Sequence, residues 1–327
     1  MKLIFIHGHI PQGYEALELK KRWTDALKIG LSRSGLSLPL DKNDIIFSYY
    51  GQELGALATS ANWALEQTVK ESNISLRTET RIIHDFLLEV SKNAGLDIEL
   101  IASRNGISLI HRSYLNWTWV RLLLETLDKH AVWSQLSIRR MTYEIYCYLS
   151  NPVFRDAVHD VVLNQMDREP AVIVSHGLGS IVAYHALLKN PQLQISRHFS
   201  LGNPMGLQAV SASLEPIRFA SSLKGDWINY YDHRDPIALN EISGADRQTE
   251  SQISNHGGTY TRTENHHDIG GYLNNQHIAR EIYDALTHSA PRSSSNHIQH
   301  LKFWAIISPS FSFMGELELF GCIFSFF

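Results

Sequence analysis

The chain has 327 residues, 44% of them hydrophobic and 19% charged, which is material for one large globular core in a single domain. A formal net charge of −4 offers no basic field, so a nucleic-acid partner is excluded. Cys147 and Cys322 are the two cysteines and stand far apart, which excludes a disulfide framework and points to a reducing, cytoplasmic location.

In chain order, residues 2–6 read as an apolar strand that runs into His7-Gly8-His9-Ile10-Pro11-Gln12-Gly13. Because a core strand opens the chain, no cleavable signal peptide is expected. A helix follows over about residues 14–34, with Leu17, Trp23, Leu27 and Leu31 near helical spacing, and then a second strand over 45–49. Parallel strands joined through helices mark an α/β fold with a mostly parallel sheet flanked by helices. Residues 51–167 read almost wholly as helix, at 78–94, 111–129, 137–150 and 152–166. That is too long for a crossover connection, so a helical cap insertion is expected between core segments 1–50 and 168–288. Its aromatic residues, Trp63, Trp117, Trp119, Trp133, Tyr143, Tyr146 and Tyr148, are expected to pack the cap's own core, with some facing a substrate cavity.

At Ala171 the chain reads Ala-Val-Ile-Val-Ser-His-Gly-Leu-Gly-Ser, and a helix follows over 180–188. Taken alone this is compatible with any glycine-rich strand-to-helix turn of the kind phosphate-binding folds use. It also has the layout of a G-x-S-x-G elbow, in which a buried strand ends in a sharp turn with the nucleophile at its apex. Ser175 then stands for the first glycine, Gly177 for the serine and Gly179 for the last glycine. The apex holds a positive φ that costs a side chain roughly 1–3 kcal/mol, so glycine there leaves the fold intact. Neither Ser175, two residues back on the strand, nor Ser180, a turn into the helix, is placed to replace the missing hydroxyl.

Two later loops supply partners in the chain order that this elbow uses. A strand over 227–231 is followed by Asp232-His233-Arg234-Asp235-Pro236-Ile237, which makes Asp235 the candidate acid and Asp232 its reserve. Asn265-His266-His267-Asp268 precedes a final helix over 277–286, which makes His267 the candidate base and His266 its reserve. Backbone N–H groups of His9 or Ile10 and of Leu178 are the candidate oxyanion-hole donors. No metal or cofactor is expected. His256, His266, His267 and Asp268 lie in a loop without the helical spacing of H-E-x-x-H, and a phosphate-binding G-x-x-x-x-G-K-[ST] run is absent. Residues 289–327 read as a linker and apolar tail; the uncharged run 303–315 is too short for a transmembrane span and is broken by Pro309. A partner or membrane-surface contact through 297–327 and a tail packed on the cap both stay open.

I-F-I-H-G-H-I-P-Q-G at the start, V-I-V-S-H-G-L-G-S-I-V-A-Y, F-S-L-G-N-P-M-G-L, W-I-N-Y-Y-D-H-R-D-P-I-A-L and N-H-H-D-I-G-G-Y-L together resemble the α/β-hydrolase superfamily. F-S-Y-Y-G, L-N-W-T-W and Y-C-Y-L-S-N-P narrow the likeness to bacterial cytosolic serine hydrolases, esterase- or lipase-like, with a helical insertion, over about residues 1–288. The resemblance implies hydrolysis of a small acyl ester through an acyl-enzyme, with His267 as general base and Asp235 fixing its tautomer. The family pattern puts serine where this chain has Gly177. A pseudoenzyme and a replaced serine are both open from the sequence, as is a non-catalytic protein that uses the remnant pocket for a ligand or partner.

Overall fold

Strand β1 (Lys2–Ile6) sorts its side chains into two layers, with Leu3 and Phe5 in one apolar cluster and Ile4 and Ile6 in the other. The computed structural model describes residues 1–10, 14–55, 74–129, 138–214, 216–242 and 252–288. Pro11, Gln12, Gly13, Trp63, Trp133 and the tail 289–327 lie outside the described residues, as does the side chain of Trp117.

After β1 come α1 (Ala16–Ser32), β2 (Ile45–Ser48), α2 (Ile74–Asn93), α3 (Ile98–Arg104), α4 (Trp117–Lys129), α5 (Ile138–Ser150) and α6 (Pro152–Leu163). The second half runs β3 (Ala171–His176), α7 (Leu178–Lys189), β4 (Ile195–Leu201), α8 (Gln208–Ser211), β5 (Trp227–Tyr230), β6 (Ile253–His256), α9 (Ile269–Leu273) and α10 (Gln276–Thr287). Among the described residues the strands form one six-stranded sheet in the order β2-β1-β3-β4-β5-β6, and every pair is parallel. The protein is therefore an α/β fold with a parallel sheet flanked by helices. Such sheets are covered on both faces, and accordingly every residue of β3 is buried.

One face carries α1, α9 and α10. The stripe of α1 that it buries is Leu19, Trp23, Leu27 and Leu31, spaced four apart, while Leu17 is 79% exposed and does not belong to it. The other face carries α2 to α6. Trp119, Tyr146 and Tyr148 are buried in the same cluster as Ile4, Ile173 and Ile181, so these helices share the core of the sheet instead of enclosing one of their own. Three of their side chains also hold loops at the carboxyl ends of the strands. Glu89 of α2 accepts from the N–H groups of Gln208 and Ala209, Asn93 of α2 donates to Pro236 O at 3.0 Å, and Glu144 of α5 pairs with His9.

The short elements α3, α8, β6 and α9 were not legible in the pattern. β6 reads Ile-Ser-Asn-His, with one apolar residue, and exists because its backbone completes the ladder of β5 as an edge strand. The strand order reverses at β1, with β2 on one side and β3 on the other, so the loops after β1 and β3 diverge and leave a crevice between them. His7-Gly8-His9 follows one strand and Gly177 the other.

Candidate active site

β3 ends at His176, the chain turns at Gly177, and α7 starts at Leu178. Gly177 has φ 55° and ψ −129°, a region in which a side chain is strained. The turn is pinned by Gly177 N–H donating to Leu201 O at 3.2 Å and Ser180 N–H donating to Gly177 O at 3.0 Å. Gly179 is required by close approach, since a Cβ there would stand 2.3 Å from Ile6 O. Without that approach α7 could not start directly behind the end of β1.

A Cβ built on Gly177 would lie 3.3 Å from Nε2 of His267 and 3.8 Å from its Cε1, so the imidazole faces the apex of the turn. On the opposite edge of the ring, Nδ1–H donates to Asp235 Oδ2 at 2.8 Å, with both side chains buried. The bond leaves the proton on Nδ1 and the lone pair of Nε2 toward residue 177. Asp235 is held in turn: its Oδ1 accepts from Ile237 N–H at 3.1 Å, and Tyr272 Oη–H donates to its Oδ2 at 3.1 Å. His267 N–H donates to Asn265 Oδ1, and His267 O accepts from His176 Nε2–H at 2.8 Å. Burial, reinforced by the neighbouring His267, pushes His176 far below the usual imidazole range, so it serves as a neutral donor.

The reserve residues are elsewhere. Asp232 accepts from the Arg234 backbone and guanidinium and from Thr261 N–H and Oγ–H, at 2.7–3.0 Å. Burial alone would raise its carboxyl, but those bonds outweigh it and hold the group below the usual carboxylate range. A carboxylate so occupied ties the β5 loop to residues near 261. His266 is half-buried and reaches Thr261 Oγ1 at 3.4 Å, with no contact to Asp235. Ser175 Oγ is consumed within the core by His198 Nε2 at 2.8 Å and Ser180 Oγ at 3.1 Å.

His7 is structural. Its Nδ1–H donates to Gly8 O, Nε2 accepts from Tyr50 N–H, and Tyr50 Oη–H bonds His7 O. Burial lowers it to about 3, so it stays neutral. The loop behind it presses on the elbow, because a Cβ on Gly8 would meet His176 O at 2.7 Å and Leu178 N at 2.9 Å. Leu178, as the first residue of α7, has an N–H without an intrahelical acceptor. His9 and Ile10 line a cavity of about 480 Å3 together with Trp23, His176, His267 and Asp268. Sequence reasoning took only the backbone of His9. The structure adds its ring: Nδ1–H donates to Glu144 Oε2 at 2.9 Å, and Glu144 Oε1 accepts from Arg140 Nε–H at 2.9 Å. Glu144 and Tyr272 had no signal in the sequence, because a glutamate on a helix and a tyrosine beside two glycines look ordinary until folding brings them to the strand ends.

Among the described residues no group of three or more His, Cys, Asp or Glu could hold a metal ion, and no helix is long and apolar enough to cross a membrane. Comparison with known protein families, with curated proteins and with solved structures finds no match to this chain.

Proposed function

We propose that the chain carries the framework of an α/β-hydrolase-type serine hydrolase for carboxylic esters, with residue 177 as the nucleophile position. The observation that supports this most is an Asp235-held imidazole whose Nε2 would stand 3.3 Å from a Cβ at 177. With serine there, His267 takes the hydroxyl proton as Oγ attacks the ester carbonyl and returns it to the leaving alkoxide. Water then repeats the sequence on the acyl-enzyme. The N–H groups of Leu178 and of Ile10 or His9 hold the oxyanion, and the 51–167 insertion shapes the substrate side in a cytoplasmic protein. With Gly177 no covalent step is available, and the cavity holds acyl ligands without turnover.

Gly177→Ser tests the reading. The variant should react with a fluorophosphonate probe and release nitrophenol from a short nitrophenyl ester, while the Gly177 chain does neither. A folded Gly177→Ser protein that resists the probe would overturn the assignment.

Gly177 itself favours a second reading, a binding protein that uses the same cavity. Thermal shift across a series of fatty acids and aryl carboxylates examines it, since binding to the folded state raises stability by mass action. A flat response over the whole series would remove the acyl-ligand claim.

A further inference from the structure

A second cavity, of about 410 Å3, opens at the far ends of α1 and α9 from the site above. Arg33 and Ser34 reach it from the end of α1, Asn274 from the end of α9, Arg262 from the loop after β6, and Arg280 from the start of α10. α9 has five residues and so spans roughly 7.5 Å. Its first residue, Ile269, lines the catalytic cavity, which makes the two cavities separate neighbours.

Among the described residues no carboxylate lines this cleft. Arg33 donates to Asn274 O, but among the described residues Arg262 and Arg280 have no carboxylate partner. Three guanidiniums sharing one concave surface repel one another, and an acidic protein of net charge −4 had carboxylates to spare for pairing them. The amino end of α10 adds its partial positive charge to the same place. Asn275 Oδ1 already accepts from the N–H groups of His277 and Ile278, so the helix contributes field and not free donors.

We propose that this cleft binds a phosphate group, with Arg262 and Arg280 as its charged donors and Arg33 as a third cation. Phosphate fits better than a carboxylate. One guanidinium fork satisfies both oxygens of a carboxylate, whereas three guanidiniums match an anion with three acceptor oxygens and up to two charges. The site uses nothing from the elbow and stands whether or not residue 177 ever carries a nucleophile.

Isothermal titration of the full chain with inorganic phosphate, at ionic strength held constant with potassium chloride, tests the proposal. Saturable binding at one site is expected, weakened roughly tenfold or more in Arg262→Gln/Arg280→Gln. The side chains of Arg262 and Arg280 are exposed and relieved of mutual repulsion in the variant, so the unfolding midpoint in phosphate-free buffer should be no lower than that of the parent chain. Arg280→Glu alone provides a second variant, expected to abolish binding. A parallel arm uses phosphatidylcholine vesicles with and without phosphatidic acid. Sedimentation only with phosphatidic acid, lost in the double variant, assigns the phosphate to a lipid headgroup. Binding of free phosphate without sedimentation assigns it to a soluble phosphate-bearing molecule. Equal binding by the parent and the double variant in both arms, or saturable binding in neither, would overturn the site.

Discussion

Two imidazole–carboxylate pairs face one cavity. His267 bonds Asp235 at 2.8 Å and His9 bonds Glu144 at 2.9 Å, each through Nδ1 and each with its carboxylate buried. They differ in what else the carboxylate holds. Asp235 is otherwise bonded by the neutral donors Ile237 N–H and Tyr272 Oη–H, so an imidazolium at 267 is the positive charge its surroundings are arranged to receive. Glu144 is already matched by the guanidinium of Arg140, which leaves His9 as a hydrogen-bonded strut between α5 and the loop after β1. A buried carboxylate next to a histidine is therefore not diagnostic of a base. The remaining partners of the carboxylate decide whether a proton taken by the ring is stabilised.

The comparison breaks if the two pairs prove equivalent in the Gly177→Ser background. His267→Ala and Asp235→Asn are each expected to lower kcat on the order of 10⁴-fold, the second because asparagine favours the wrong tautomer. His266→Ala should cost less than about tenfold in the same assay. An equal loss from His266 and His267 would show that the elbow geometry does not control turnover.

Asp232→Asn separates the two aspartates of one loop. Its carboxylate accepts five bonds that no incoming imidazole shares, so the expected effect is on stability, about 1–3 kcal/mol in urea unfolding, with kcat of the Gly177→Ser protein little changed. A loss of turnover without a loss of stability would move the acid role to Asp232.

Glu144→Gln should lower kcat/KM roughly tenfold while leaving the pH profile of kcat in place, since it loosens the loop that carries His9 and Ile10 without touching His267. A shifted pH profile would mean that the His9–Glu144 pair takes part in the reaction itself. Tyr272→Phe removes one neutral donor from Asp235 and is expected to cost only severalfold in kcat, corresponding to about 0.5–1.5 kcal/mol.

These comparisons hold in a limited pH range. His159 and His185 both bond Tyr148, and burial first, with neighbouring cations adding, holds each at about 4. Their folded values lie below an unfolded value near 6.5, so the unfolded chain binds more protons between those limits. Stability is complete above about pH 6.5 and declines as pH falls toward 4. The urea midpoint followed from pH 7 to 4 should drop, and His159→Gln/His185→Gln should flatten the curve.

The α/β class, β1, β2, β3, β5 and the long helices were legible because their signal is local. A run such as Ala171–His176 is apolar along its whole length, and α10 repeats its apolar residues at helical spacing. The chain order of Gly177, Asp235 and His267 was legible for a similar reason, since each follows or precedes such an element. β6 and α9 were not, because pairing to a neighbour holds one and contacts around two glycines the other.

By itself the sequence determined the layers of the fold, the residue types on the strand-end loops and the absence of a hydroxyl at position 177. Tertiary structure alone decided which carboxylate meets which imidazole. Asp232 and Asp235 are equally buried and three residues apart, and only packing against Thr261 and Tyr272 turns one to an arginine and the other to His267. It also decided that α2 to α6 join the core of the sheet, that Glu144 reaches His9 across 135 positions of chain, and that Arg33, Arg262 and Arg280 share one cleft. Local patterns encode which face of an element is apolar. The direction of a single polar side chain depends on distant neighbours that compete for its hydrogen bonds, and no window along the chain contains them.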